Sequence, residues 1–320
     1  MNTSNEQQIL DHCIRQSDIP GRPVDYSGKV RDIYYLPDDQ MAIVATDRIS
    51  AFDHIFSEPI PFKGQLLNQL AWHGFQQISS ICPHHLLEVP HPNVTIARKC
   101  QPLPVEVVVR GYLTGHAWRV YKDGGRELCG EKLPEGLLEH EAFAQPLVTP
   151  TTKAHEGHDE DISAEEIIKK GLVSQKMWNE IHRISLSLFE KGTEAAMDKG
   201  LILVDTKYEF GVYENELVLI DEVHTPDSSR FFYADEYYTR LKNGQPQKQL
   251  SKEFLREWLI EHGHHADMDR QLPVLPDDLR ISIYHRYREL YEKLTGQSFQ
   301  PVDTTHFNSD LAAILERFQV

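Results

Sequence analysis

Asp205, Lys207 and Glu209 occupy every second position of the run LILVDTKYEFG, and a strand places alternate side chains on opposite faces. One face would then carry a carboxylate, an ammonium and a second carboxylate, while Val204, Thr206, Tyr208 and Phe210 line the other. A turn around Glu214-Asn215-Glu216 leads into LVLIDEVHTPDSSR, and with a three-residue loop Glu209 faces Asp221 across the ladder. Like charges directly opposite destabilise a sheet unless a cation or a proton lies between them. The pair therefore reads as half of a Mg²⁺ site with oxygen ligands. A surface hairpin with solvated charges fits the same letters, and a two-residue Glu-Asn loop would shift the register and separate the acids.

Cations that could meet an anionic ligand sit in three other places. Ser27-Gly28-Lys29-Val30-Arg31 opens a predicted hairpin, where backbone N–H groups and an ammonium can lie over phosphates. A plain turn explains the same letters, and neither a Walker A sequence nor GxGxxG is present. Arg110 ends the nearly all β-branched run PVEVVVR and enters a predicted loop, Gly111 to His116, whose glycines allow close backbone approach. A structural arginine paired with an acid is the alternative there. Pro226-Asp227-Ser228-Ser229-Arg230 is a polar turn with hydroxyls and a guanidinium suited to phosphate or carboxylate. The segment 149–160 holds Lys153, histidines and acids without any closed zinc spacing, and reads as a loop over an active site.

The chain of 320 residues is 40% hydrophobic and 26% charged, a globular composition with room for one large domain or two lobes. Lys and Arg number 33 against 49 Asp and Glu, a net charge of −16. That balance argues against nucleic acid or an anionic membrane as partner. No export signal and no apolar run of membrane-spanning length are visible. Cys13, Cys82, Cys100 and Cys129 form no CxxC pair, which fits reduced thiols and a cytoplasmic location.

The elements that must position these residues follow from periodicity. Hairpin strands are predicted on either side of Pro37-Asp38-Asp39, a helix over 65–78, strands over 94–99 and 105–110, and irregular structure over 123–145. Ser163-Ala164-Glu165-Glu166 is a capping box that opens helices reaching Gly200. Helices are also predicted over 251–262, 279–294 and 309–318. Strands first, mixed structure next and helices last indicate an α+β protein of two lobes with a cleft between them. The expected division is a β-rich, antiparallel lobe over 1–103 and a larger lobe over 104–320, ending in a helical segment over 250–320.

Gly-Lys-Val-Arg-Asp at 28–32, DRISAFD at 47–53, the stretch 104–115, PTTK at 150–153, LVDTKYEFG and DEVHTPDSSR occur here in one order. Together they resemble the phosphoribosylaminoimidazole-succinocarboxamide synthase (SAICAR synthetase) family over roughly residues 20–235, in its long form. The resemblance implies ATP- and Mg²⁺-dependent joining of L-aspartate to carboxyaminoimidazole ribonucleotide in purine biosynthesis, through an acyl phosphate, with ATP as co-substrate. It implies Gly28, Lys29 and Arg31 on the nucleotide phosphates and Glu209 and Asp221 on the metal. Asp205, Lys207 and Lys153 would order the reacting groups. Arg110, Ser229 and Arg230 would hold the ribonucleotide phosphate, with Ser50, Asp53 and Asp159 lining the substrate site. One position departs: the family has Gly-Ser where this chain has Gly115-His116, so an imidazole would contact the phosphate in place of a hydroxyl. The alternatives are a ligase or kinase-like phosphotransferase for another phosphorylated carboxylate, and a non-catalytic nucleotide-binding protein.

Overall fold

The computed structural model describes residues 9–52, 54–153, 160–264 and 272–318. The chain divides into two compact units. The first comprises Met1–His73, His85–Lys99 and Ser251–Val320, and the second Gly74–His84 and Cys100–Leu250.

The first unit is built on an antiparallel sheet in the order β1-β2-β3-β7-β6. Its strands are β1 (Tyr26–Ser27), β2 (Arg31–Leu36), β3 (Gln40–Ala45), β6 (Leu86–His91) and β7 (Val94–Arg98); a separate two-stranded pair joins β4 (Ser50–Ala51) to β5 (His54–Ile55). The turn from β2 to β3 holds Asp38 and Asp39 at φ 56° and 50°, the left-handed conformation that suits the right-handed twist of a hairpin. Helix α1 (Lys63–Ile78) follows β5 and starts two residues before its expected beginning.

In the second unit the sheet runs β11-β8-β12-β14-β15, with β13 paired to β12. Strand β8 (Gln101–Tyr112) buries Val105, Val107 and Val109 and pairs with β12 (Leu201–Tyr213) as a central strand. The expected loop after Arg110 is instead two more residues of strand, and Gly115 already begins helix α2 (Gly115–Lys122). The strand continues because Gly111 is buried close against Phe189, where a side chain would not fit. The region expected to be irregular contains a small hairpin, β9 (Glu127–Leu128) with β10 (Glu131–Lys132), and the start of β11 (Ala142–Thr152).

The capping box at Ser163 is present: its hydroxyl accepts the Glu166 N–H at 3.2 Å, and the Glu166 carboxylate accepts the Ser163 N–H at 3.1 Å. It opens α3 (Ala164–Lys169), and α4 (Gln175–Met197), which buries Trp178, Ile181, Ile184, Leu188 and Phe189, then packs chiefly on β12. Strands β13 (Glu216–Ile220), β14 (Ser229–Tyr233) and β15 (Gln249–Leu250) complete the sheet, with α5 (Ala234–Lys242) after β14.

The hairpin between β12 and β13 closes on two residues, Glu214 and Asn215, both left-handed at φ 49° and 67°. Tyr213 therefore pairs with Glu216 and Glu209 with Ile220, so the expected pairing of Glu209 with Asp221 is not formed. One residue less in the loop moves the whole register by one.

The helical C-terminal segment, expected in the second lobe, clusters with the first unit. Helices α6 (Glu253–Glu261) and α7 (Asp277–Thr295) bury Leu255, Leu259, Leu279, Ile283, Tyr284 and Tyr287 against Ile49, Phe56, Ile60, Phe62, Leu66 and Leu70. Helix α8 (Phe307–Glu316) sets Phe307, Leu311 and Leu315 against Tyr34, Ala42, Val44 and Ile96 of the sheet. These faces are apolar at helical spacing, which is why they are buried here.

Candidate active site

Three neighbouring strands of the second unit converge on Asp205. In the ladder it stands opposite Arg110 of β8 on one side and Arg230 of β14 on the other. Each guanidinium Nη1 lies 3.6 Å from the same oxygen, Asp205 Oδ2. That is ion-pair distance but too long for a hydrogen bond, and Oδ2, though buried, accepts none. Two buried guanidiniums thus meet at one buried carboxylate, and Asp161 acts on Arg110 as a second negative charge. Burial and the nearby Arg230 lower the Arg110 pKa from its ordinary value, against the pull of Asp205, without making arginine neutral.

Side chains around the pair fix its aim. Arg110 Nε donates to Thr149 Oγ1 at 2.8 Å, and Arg230 Nη1 donates to Thr114 Oγ1 at 3.3 Å. Ser229 shares a 2.8 Å hydrogen bond with Thr206. Gly115 lies against Arg230: a Cβ there would come within 2.4 Å of Nη1, and the residue sits at φ +57°. Only glycine meets both demands without displacement.

Two residues along the same face of β12, Lys207 Nζ donates to Glu106 Oε1 at 2.9 Å and to Glu209 Oε1 at 2.5 Å. Lys153 Nζ donates to the other Glu209 oxygen. Burial alone would push Glu209 up, yet the Lys207 and Lys153 ammoniums hold it well below the usual carboxylate range. Glu106 goes the other way, to about 7: burial comes first, Lys207 opposes it, and the Glu209 charge adds to it. Lys207 stays well above its ordinary value although buried, because Glu209, Glu106 and Asp221 surround it. Lys153 is raised as well, with Glu209 and Asp221 overcoming its burial.

Asp221 thus lies within electrostatic reach of both ammoniums although it is not opposite Glu209. It follows the last residue of β13 in left-handed backbone at φ 66°, a conformation in which aspartate is among the better tolerated residues after glycine. Glu106, Glu209 and Asp221 thus offer hard carboxylate oxygens around the Lys207 and Lys153 ammoniums. This donor chemistry fits Mg²⁺, although among the described residues no three His, Cys, Asp or Glu side chains are already gathered as a metal-holding group.

His116, in the first turn of α2, shares a 2.6 Å hydrogen bond between Nε2 and Asp161 Oδ2, and that bond lowers the Asp161 carboxyl. In the first unit, Gly28 closes the hairpin by donating its N–H to Arg31 O at 2.8 Å, and Lys29 is exposed. Ser50 is buried, with Lys252 Nζ 3.5 Å from its hydroxyl. Asp53 and Asp159 lie outside the described residues.

The structure therefore gathers Arg110, Asp205 and Arg230 in one group, and Lys153, Lys207 and Glu209 with Asp221 in a second, whereas Ser229 pairs with Thr206 on the opposite face of β12 from Asp205. Glu106, Thr114, Thr149 and Asp161 were not anticipated. Glu106 had a signal: it is the one charge inside an otherwise apolar β-branched strand. The two threonines and Asp161 had none, since their roles depend on pairing between distant segments.

The profile of the SAICAR synthetase family matches residues 24–272. The chain belongs to this family. A phosphoribosylaminoimidazole-succinocarboxamide synthase of Bacteroides thetaiotaomicron is 51% identical over 288 residues, covering 90% of this chain and 92% of that protein. The enzyme of the same name from Cytophaga hutchinsonii is 52% identical over 283 residues, covering 88% and 91%. Among solved structures, the SAICAR synthase of Saccharomyces cerevisiae complexed with SAICAR superposes with a TM-score of 0.77 at 34% identity, over 90% of this chain and 100% of that one. A type-2 SAICAR synthetase in complex with ADP gives 0.66 at 26% identity, over 86% and 99%. As in the other SAICAR synthetases, the architecture is mixed α+β with antiparallel sheets. No helix among the described residues is long and apolar enough to cross a membrane.

Proposed function

We propose that this SAICAR synthetase joins L-aspartate to carboxyaminoimidazole ribonucleotide with the hydrolysis of ATP to ADP and phosphate, in the cytoplasm. The observation that carries the reading is the face of β12: two guanidiniums gathered at Asp205 and, four residues on, a cluster of carboxylates and ammoniums around Glu209. Four residues of strand span roughly 13 Å, room for a phosphorylated substrate anchored at one end and reacting at the other. Family membership supports the same substrates.

A carboxylate is a poor electrophile because its oxygen leaves badly. Transfer of the γ-phosphoryl group to a carboxylate oxygen of the ribonucleotide releases ADP and creates an acyl phosphate. The aspartate amine then adds at that carbon, phosphate departs with the C–O bond, and the amine loses a proton. In such a sequence the protein supplies positioning and charge neutralisation rather than a nucleophile.

Arg110 and Arg230 hold the ribonucleotide phosphate, and the His116 imidazole orders the start of α2 beside them. Glu209 and Asp221 hold Mg²⁺, which would supply charge neutralisation of the triphosphate. Glu106 and Lys207 set the charge of Glu209, while Lys153 and Lys207 steady the transferring group. Gly28, Lys29 and Arg31 take the nucleotide phosphates, and Ser50, Asp53 and Asp159 belong to substrate-contacting loops. The test is ADP release with ATP, Mg²⁺, aspartate and the carboxylated ribonucleotide, each omitted in turn. Turnover that persists without aspartate, or with another phosphorylated carboxylate in place of the ribonucleotide, would reject the assignment.

A further inference from the structure

Arg48 lies in the DRISAFD stretch, outside every role assigned above, and its side chain is 13% exposed. Its three guanidinium nitrogens reach backward into the first unit. Nε donates to Lys29 O at 3.1 Å, Nη2 to Gly28 O at 3.0 Å, and Nη1 to Arg15 O at 2.7 Å. Nη2 also meets Asp32 Oδ1 at 2.9 Å. Asp32 is fully buried and accepts the Ser17 N–H and hydroxyl, both at 2.9 Å, and the Ser27 hydroxyl at 2.7 Å. Burial works against the Asp32 charge, but Arg48 and these donors lower its pKa below the ordinary value.

The geometry has a directional consequence. In a trans peptide the C=O and the following N–H point opposite ways, and there are no cis bonds among the described residues. With the carbonyls of Gly28 and Lys29 both turned to Arg48, the N–H groups of Lys29 and Val30 are turned away from it. Two successive N–H groups held in one direction form the start of an anion cradle.

We propose that Arg48 is a positioning residue that sets the phosphate-binding conformation of the Gly28–Lys29 turn while Asp32 holds its guanidinium in place. The proposal rests on the reading that this turn takes the nucleotide phosphates. A lysine at 48 would keep the charge but not the planar fork that spans two carbonyls and a carboxylate.

Calorimetric titration of the full chain with ADP plus Mg²⁺, and separately with SAICAR, tests it on wild type, Arg48→Lys and Lys29→Ala. Arg48→Lys is expected to weaken ADP binding by about tenfold or more and SAICAR binding by less than about twofold. Hydrogen exchange in the ligand-free variant should speed up across residues 26–31 and not across α1. Lys29→Ala should weaken ADP without that change in exchange. If Arg48→Lys holds ADP as wild type does while Lys29→Ala loses it, the positioning role is overturned and the nucleotide reading stands. If Lys29→Ala leaves ADP binding unchanged, the nucleotide reading of the turn fails and the proposal falls with it. Equal loss of ADP and SAICAR in Arg48→Lys, with exchange faster throughout, would make Arg48 a general structural residue and also overturn the proposal. Should Arg48→Lys not fold, Arg48→Gln, which can still donate to one carbonyl, is read against the same outcomes.

Discussion

Glu209 accepts hydrogen bonds from Lys207 and Lys153 at once, so removing its charge takes a carboxylate from two half-buried ammoniums and leaves Lys207 to Glu106. Glu209→Gln keeps the shape and removes the charge that a divalent cation needs. It is expected to abolish ADP formation while circular dichroism shows the fold retained, and turnover near the wild-type rate would remove Glu209 from the metal site. Gly115 offers a subtler probe on the anion side. An alanine Cβ would press on the Arg230 guanidinium from 2.4 Å in backbone that L side chains avoid. Gly115→Ala should raise the KM for the ribonucleotide by about tenfold, the order expected when a charge-assisted contact worth roughly 1.5–3 kcal/mol is misplaced. The KM for ATP should change little; an equal rise in both would mean that α2 as a whole had shifted.

At the scale of elements, the hairpin from β12 to β13 separates what the sequence discloses from what it hides. The alternation of Asp205, Lys207 and Glu209 is local, and it correctly predicts one charged face, because strand geometry fixes it whatever lies alongside. Register is not local. A three-residue loop and a two-residue loop read almost the same in Tyr-Glu-Asn-Glu, and the choice depends on whether Glu214 and Asn215 both accept left-handed backbone. Asp221 still reaches the ammoniums, because its own left-handed backbone turns the chain at the strand end. The loop expected after Arg110 failed for a similar reason: its glycines suggested a break, but the burial of Gly111 beside Phe189 extends the strand. Glutamate is a poor choice for left-handed φ, whereas asparagine is several-fold enriched there. Glu214→Asn should therefore stabilise the second unit by roughly 0.5–1 kcal/mol without altering turnover. Denaturant unfolding measures this, and a loss of stability would show that the turn is held by a contact of Glu214.

At the scale of the whole molecule, two half-buried histidines and the return of the C-terminus set how it responds to acid and to truncation. Burial lowers His140 and His224 from 6.5 to about 4, with the Arg230 charge adding to the effect at His140. His224 Nε2 shares a 2.7 Å hydrogen bond with the Tyr208 hydroxyl, a partner suited to neutral imidazole. Between pH 4 and 6.5 the unfolded chain binds the protons that the folded one refuses. Stability is therefore full above pH 6.5 and falls as pH drops toward 4, by up to about 3 kcal/mol for each histidine. Unfolding measured from pH 7.5 to 5 should show a shallower dependence for His224→Asn than for wild type, and parallel slopes would exclude His224 as a source. Truncation tests the other property. A chain ending at Leu250 lacks α6, α7 and α8, and with them Leu255, Leu259, Leu279, Ile283, Tyr287 and Leu311, all buried in the first unit. Each such side chain contributes roughly 1.5–3 kcal/mol, against a net domain stability of only roughly 5–15 kcal/mol. Hydrogen exchange of this shortened chain should find the amides of β2, β3 and β7 unprotected and those of β8, β12 and β14 still slow. Slow exchange in β2, β3 and β7 would mean that the first unit can close its core without the C-terminal helices.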